Sequence, residues 1–222
     1  MRITQTKYPV NTILVISLTA ILMAGTIPIH NVFAITITRI PGSFPEENFG
    51  DSVSISGDTA IVSRLGSAFF SRLGSTYVFT RSGGVWSEQI KLTASDAEEN
   101  DFFGRSVSIS GDTAIIGADG DDDNGANSGS AYIFTRSDGI WSEQVKLTAS
   151  DAEENDSFGF SVSISDDTAI VSALGDDDGG ELSGSAYIFT SSDGIWSEHA
   201  KITSDEDEDY LVFLSPFQVI LL

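Results

Sequence analysis

The stretch "SFGFSVSISDDTAIVSALGDDDGGELSGSAYIFTSSDGIWSEHAK", residues 157–201, decides the fold, because the chain carries nearly the same text immediately before it. Residues 91–145 align without gaps to residues 146–200, and 43 of the 55 aligned positions are identical. A looser copy occupies about residues 41–90. Tandem units of this length indicate a repeat architecture, in which each unit buries its apolar side against the next.

Inside each unit the apolar residues recur with a period of two, which is typical of β-strands. In the second unit, "SVSIS" at 106–110 and "WSEQVKLT" at 141–148 alternate polar with apolar residues. "TAIIGA" at 113–118 is almost continuously apolar, as expected of a strand buried on both faces, and "SAYIFT" at 130–135 is rich in strand-forming residues. Clusters of Gly, Asp, Asn and Ser separate these runs. We therefore predict four antiparallel strands per unit.

A Phe-Gly pair marks the start of each unit, at residues 49–50, 103–104 and 158–159, and a Gly-Ala-Asp triplet follows at 117–119. With the predicted strands, these elements resemble the FG-GAP repeat, the unit that builds the β-propeller of integrin alpha subunits and of many prokaryotic surface proteins. The resemblance covers about residues 41–203. It implies an all-β fold of β-propeller-type blades, each with four antiparallel strands.

Three repeats make an incomplete or partial propeller, because propellers typically have roughly four to eight blades. We assign residues 35–203 to the repeats and residues 204–222 to a degenerate or truncated fourth repeat with an apolar tail. Open sheet faces and edges favour partners. The alternatives are self-association into a homodimer of half-rings, further propeller repeats that close the ring, and a truncated gene fragment.

The N-terminus, residues 1–34, is predicted to be a signal peptide. Arg2 and Lys7 precede a long uncharged apolar stretch, and Val32 and Ala34 provide small residues before a cleavage point. We expect a secreted or cell-surface protein. An uncleaved membrane anchor is the alternative, since the apolar stretch approaches the length that spans a bilayer.

Composition limits the function classes. The 222-residue chain has 11 basic and 33 acidic residues, a net charge of −22, which argues against nucleic-acid binding because phosphates would be repelled. It has no cysteine, so disulfides and thiolate metal sites are excluded. The two histidines are His30 and His199, and the acidic residues recur in copies rather than as one asymmetric pair. We therefore predict that the chain is not an enzyme.

The acidic loops are candidate calcium sites, because calcium prefers carboxylate and carbonyl oxygens on tight glycine-containing loops. The candidate ligands are Asp119, Asp121 and Asp123 in the second unit and Asp176 and Asp178 in the third. The first three have the spacing of a D-x-D-x-D loop, but no acidic residue stands at the twelfth position. The integrin-type calcium loop lies between the first two strands, where this chain has only a short hairpin, so that site is not carried over. Solvated turn residues are the alternative interpretation.

The function expected from these features is an extracellular binding or adhesion module that presents acidic loops on a β-propeller scaffold, with assistance from calcium. Its ligand would be an extracellular protein or a glycan. The alternatives are a glycan-directed hydrolase of propeller type and a structural surface protein. Asn155 begins an N-glycosylation sequon, Asn155-Asp156-Ser157.

Overall fold

The computed structural model describes residues 48–65, 73–180 and 183–203, which form β-strands joined by turns and loops. The first sheet contains β1 (Asn48–Ser56), β2 (Thr59–Leu65), β3 (Ser75–Ser82) and β4 (Val85–Leu92). The second contains β5 (Val107–Ser110), β6 (Thr113–Ala118), β7 (Ser130–Ser137) and β8 (Ile140–Leu147). The third contains β9 (Phe158–Ser165), β10 (Thr168–Ala173), β11 (Ser185–Ser192) and β12 (Ile195–Thr203).

Each sheet is an antiparallel meander in chain order, and the three sheets are named blades one, two and three. This confirms the predicted all-β fold of four-stranded repeats. Successive connections of a meander lie at opposite ends of the sheet. We call the end with the two-residue hairpin turns the turn end. The other, called the loop end, carries the loops between second and third strands and the linkers between blades.

The first strands of the three blades lie side by side, joined by serine side chains. The Oγ of Ser54 in blade one accepts a hydrogen bond from the Ile109 amide of blade two at 3.2 Å. Ser108 of blade two accepts in the same way from Ile164 of blade three, at 3.1 Å. The aliphatic residues of "SVSIS" thus enter the core in blades two and three, and its serines bond to the next blade's backbone in blades one and two.

The core consists of two clusters, one at each junction between blades. Ile61, Val78 and Leu92 of blade one pack with the aromatic and aliphatic residues of blade two. The second cluster joins the equivalent residues of blade two to blade three. Trp141 belongs to the first cluster and is 4% exposed, so its ring is part of the core. Burial of apolar area at these junctions is the main favourable contribution to folding.

The Phe-Gly pair of blade three fixes the start of β9 in two directions. The Phe158 ring lies edge-on to Tyr187 of its own blade, with ring centroids 5.3 Å apart. Gly159 has φ +93°, a conformation that favours glycine, and a Cβ at this position would lie 2.2 Å from the Ser130 carbonyl oxygen of blade two. The motif thus combines an aromatic anchor with a close approach of two backbones. Gly50 of blade one has the same φ but no neighbour within 4 Å of a Cβ.

Some predicted features lie outside the described residues. These are the signal peptide at residues 1–34 and the degenerate fourth repeat at 204–222. Within the described ranges, no helix is long and apolar enough to cross a membrane.

The two glycines provide a matched test of blade packing. We expect Gly50→Ala to lower the free energy of unfolding by roughly 1–2 kcal/mol, because alanine is strained at this φ. Gly159→Ala has the same strain and also a clash with blade two, which adds about 2 kcal/mol. Urea unfolding of the two variants, in samples that have the mass of a single copy of the chain, measures the difference. Equal losses of stability would contradict a close approach between blades at Gly159.

Candidate functional site

Three carboxylates meet at the loop end of blade two. Asp121 and Asp123 come from the loop that follows β6, and Asp96 comes from the linker between blades one and two. Their nearest oxygens all lie within 4.8 Å of one another. Asp121 is buried, whereas Asp96 and Asp123 are exposed. We call these residues, with the lysine and tyrosine described below, the blade-two cluster.

The ammonium group of Lys146 lies at the centre of this cluster. Its Nζ is 2.7 Å from Asp121 Oδ2, 2.6 Å from Asp123 Oδ2 and 2.9 Å from Asp96 Oδ2. An ammonium has three N–H donors, and here each one faces a different carboxylate. Lys146 stands at the end of β8, where the last strand of the blade returns to the loop end. The lysine thus joins the outer strand, the acidic loop and the linker.

Tyr132 of β7 supports the cluster from below. Its hydroxyl lies 2.8 Å from Asp96 Oδ1 and 2.8 Å from Asp121 Oδ2, so a single phenolic proton serves two carboxylates. Its ring is fully buried and lies edge-on to Phe103 at a centroid distance of 5.5 Å. The Phe-Gly motif is therefore connected to the acidic loop through one tyrosine side chain.

Blade three repeats the arrangement 55 residues later. Lys201 Nζ lies 2.8 Å from Asp151, 2.7 Å from Asp176 and 2.6 Å from Asp178. The Tyr187 hydroxyl lies 2.6 Å from Asp176 Oδ2. We call these five residues the blade-three cluster. Its agreement with the blade-two cluster indicates that the geometry is a property of the repeat.

The acidic loops hold their shape by local hydrogen bonds. The Asp121 carboxylate accepts from the amide of Asp123 at 3.3 Å, and Asp176 accepts from Asp178 at the same distance. Bonds of an aspartate side chain to the amide two residues on are typical of turns. In addition, Ser185 donates to Asp176 Oδ1 at 2.7 Å. The central carboxylate of each loop is therefore fixed before any ligand arrives.

Blade one keeps the tyrosine and the lysine of the cluster but not its carboxylates. Tyr77 and Lys91 stand at the equivalent positions, while residues 63–74 contain no Asp or Glu. In this blade Arg64 donates a hydrogen bond to the Tyr77 hydroxyl at 3.0 Å. Lys91 is exposed, so it provides a natural reference for the two clustered lysines.

The charges shift the protonation equilibria of the clusters. Burial acts to raise the pKa of Asp96, but hydrogen bonds from Lys146 and Tyr132 outweigh it, so that the pKa lies below its ordinary value. Asp151 behaves in the same way, with bonds from Lys201 and Tyr187, and the pKa of Asp176 is lowered too. Burial disfavours the charged form of both lysines, yet the surrounding carboxylates raise their pKa well above 10.5.

Asp119 lies apart from the cluster, although it begins the D-x-D-x-D spacing. Its carboxylate pairs with Arg105, whose Nε lies 3.4 Å from Asp119 Oδ2. Burial raises the pKa of Asp119, and the nearby Arg105 only partly offsets this. The structure therefore brings Asp121 and Asp123 together, and Asp176 and Asp178 together, but groups Asp119 with neither pair.

Sequence reasoning missed the linker aspartates, the lysines and the tyrosines. Asp96 and Asp151 lie in the linkers between blades, and their hydrogen-bond partners lie 36 and 50 residues away along the chain. One signal was available in the sequence. Lys146 and Lys201 stand at equivalent positions of the repeat, 55 residues apart, and the acidic loops recur at the same offset. The repeat spacing shows that these lysines and carboxylates recur, but only the pairing of the strands brings them into contact.

The clusters could hold a metal ion, since each offers three converging carboxylates. The ammonium lies where those carboxylates converge, so a divalent ion would have to displace it. Calcium also needs six to eight oxygen ligands, and the carboxylates and tyrosine hydroxyl supply only part of that set. Catalysis has less support, because both clusters are copies in which the central carboxylate is already bonded to lysine and tyrosine.

We expect Lys146→Gln and Lys201→Gln each to lower the free energy of unfolding by roughly 3 kcal/mol at pH 7, because each leaves a buried aspartate without its counter-charge. Lys91→Gln should be nearly neutral.

The lowered pKa values of Asp96, Asp151 and Asp176 mean that their contribution to stability is present above about pH 4 and is lost as pH falls further. On the alkaline side, the raised lysine pKa means that the stabilisation is fully present below about pH 10.5 and is lost as pH rises further.

The measurement is chemical unfolding of the wild type and the three variants between pH 2 and pH 9. The difference between wild type and Lys146→Gln should be constant from about pH 5 upward and should shrink below about pH 4. A difference that grows in acid, or a Lys91→Gln variant as unstable as Lys146→Gln, would refute the role of the clusters in stability.

Comparison with known proteins adds the family. The FG-GAP repeat family profile matches residues 45–79, 86–134 and 141–189, which together cover more than half of the chain. The second and third matched segments begin on the last strand of one blade and end on the third strand of the next. No curated protein matches the chain at a significant level.

Proposed function

The chain belongs to the FG-GAP repeat family, and on that premise we propose that it is an extracellular binding or adhesion module whose ligand contacts the loop end of the blades. The observation that carries the proposal is the repeated lysine-centred cluster. It holds two acidic loops in the same rigid form on adjacent blades. The ligand would be an extracellular protein or a glycan with basic groups, because the loop end is strongly acidic.

Rigid presentation favours binding. A ligand that meets a preformed loop avoids most of the entropy cost of ordering it. Asp123 and Asp178 keep side chains 63% and 58% exposed while their carboxylates bond to lysine, so both remain available to a partner. Asp122 and Asp177 are exposed at the tips of the same loops. Each cluster also carries three carboxylates for one ammonium, which leaves a negative excess at the surface.

Calcium assistance is part of the proposal, and the lysines define how it would work. Calcium would replace the ammonium among the three carboxylates, so the lysine side chain would turn outward and expose its charge. A protein whose lysine is removed has no such competitor. Calcium should therefore stabilise a lysine variant more than it stabilises the wild type.

We predict that millimolar calcium raises the melting temperature of the Lys146→Gln/Lys201→Gln double variant by several degrees and that of the wild type by less, because an ion bound only to the native state must stabilise it. Differential scanning calorimetry with calcium and with magnesium measures both shifts. Lys91→Gln should respond as the wild type does. If calcium leaves the melting temperature of the double variant unchanged, the calcium proposal is wrong.

The loop end can be tested directly for binding. We expect Asp122→Asn/Asp177→Asn to weaken binding to basic extracellular proteins and amino-sugar polymers several-fold without lowering the melting temperature. The matched control is Asp138→Asn/Asp193→Asn, which removes the same charge from exposed turns at the turn end. Both aspartates there have positive φ, which asparagine tolerates.

Surface plasmon resonance against immobilised probes, at two salt concentrations, measures the effect. Equal weakening by the two double variants would mean that net charge alone drives binding, and the loop-end proposal would fail. A glycan hydrolase is the competing class. Release of reducing sugar from a panel of polysaccharides by the wild type would favour it over a binding module.

A further inference from the structure

The start of the three-blade array exposes apolar residues that later blades bury. In blade one, Phe49 is 44% exposed, Val53 52% and Ile55 48%. Their equivalents are almost completely covered by the preceding blade, at 0%, 1% and 6% in blade two and 0%, 4% and 7% in blade three: Phe103, Val107, Ile109, Phe158, Val162 and Ile164. We call the exposed surface of blade one the head face.

At the opposite end of the array, apolar residues on the other side of the sheet are exposed. Ile202 of β12 is 45% exposed, and Ile170 and Ile188 are partly exposed. In the first two blades the equivalent residues are at most 5% exposed, because the next blade covers them: Ile61, Val78, Leu92, Ile115, Ile133 and Leu147. We call this surface of blade three the tail face. The internal junctions are contacts of a tail-type surface with a head-type surface.

Polar groups at the two end faces are complementary as well. At the internal junctions, Ser56 Oγ accepts from the Gly111 amide and Ser110 Oγ from the Asp166 amide, both at 3.0 Å. The equivalent donor on the head face is the Gly57 amide. The equivalent acceptor on the tail face is the Oγ of Ser165. A tail face placed against a head face therefore satisfies the same backbone groups.

Side-chain hydrogen bonds from the fourth strand of one blade to the next blade also have matching groups on the two end faces. Gln89 donates to the Gly139 carbonyl of the next blade at 2.8 Å, and Gln144 donates to Gly194 at 2.5 Å. In blade three the corresponding residue is His199, which also has a ring N–H to donate. Its counterpart on the head face is the carbonyl of Gly84. The one substitution at this position thus keeps a donor.

We propose that the head face of one copy of this chain binds the tail face of a second copy, and that two copies close into a six-bladed ring. A heterologous contact of this kind makes a ring when the rotation closes. Propellers have roughly four to eight blades, and with the three blades that residues 48–203 form in each copy only two copies fall within that range. The occupant is a second copy because its tail face carries the residues that cover each head-type surface inside the array.

The experiment measures the mass of the purified 222-residue chain in solution. Sedimentation velocity and light scattering should give twice the mass of the 23.6 kDa chain, or of its processed form if the host removes the signal peptide. Val53→Asp/Ile55→Asp, the head variant, and Ile188→Asp/Ile202→Asp, the tail variant, should each halve that mass. Circular dichroism and thermal melting check that each variant remains folded.

Two further samples distinguish this contact from others. A heterodimer of the head and tail variants has one intact head-to-tail junction and one junction with aspartates on both faces, so an equimolar mixture should associate more strongly than either variant alone but more weakly than the wild type. Val85→Asp is the matched control: Val85 is 68% exposed on blade one but lies at a hairpin tip outside both faces, so the mass should not change.

A wild-type chain with the mass of one copy would overturn the proposal, since its end faces would then be covered from within the chain or left open. A ladder of larger masses would also overturn it, because the contact would propagate without closing. Variants that keep the double mass would show that two copies meet through other surfaces.

Discussion

A blade of this protein has apolar residues on both sides of its sheet, and at the two described junctions a neighbouring blade covers them. This constraint explains why the faithful copies are also the best-packed parts of the molecule. Val107 and Val162 are buried because a blade precedes each of them, whereas the equivalent Val53 is half exposed. Local sequence is nearly the same in the three cases, so burial is set by position in the array. Stability of such repeats depends mainly on contacts between neighbours.

The Phe-Gly pair shows how one short motif meets that constraint. The aromatic ring packs inside its own blade, and the glycine brings the backbone against the preceding blade. Two properties of Gly159 require glycine: its φ is +93°, and a Cβ at this position would clash with the preceding blade. The same ring contacts the tyrosine whose hydroxyl reaches the acidic loop. Core packing at the junction and the geometry of the loop end are therefore parts of one connected structure.

The high negative charge is organised around lysines. In blades two and three, an ammonium takes the central position among three carboxylates, and the tyrosine hydroxyl completes the bonding. A partly buried aspartate is tolerated because a counter-charge and hydrogen bonds are both present. Blade one has the lysine and tyrosine without the carboxylates, and its loop-end arrangement differs. A lysine and a tyrosine at these positions therefore do not form the cluster unless the loop and linker carboxylates are also present.

The sequence by itself determined the repeat length, the four strands per unit, the family resemblance and the acidic character of the loops, because these depend on local periodicity and composition. Of the five carboxylates that it proposed as candidate ligands, four lie in the clusters, namely Asp121, Asp123, Asp176 and Asp178, whereas Asp119 does not. Only the tertiary structure decided the roles of Asp96, Asp151 and the two lysines. Strand pairing brings together groups that are 23 to 50 residues apart, and no local pattern encodes that distance.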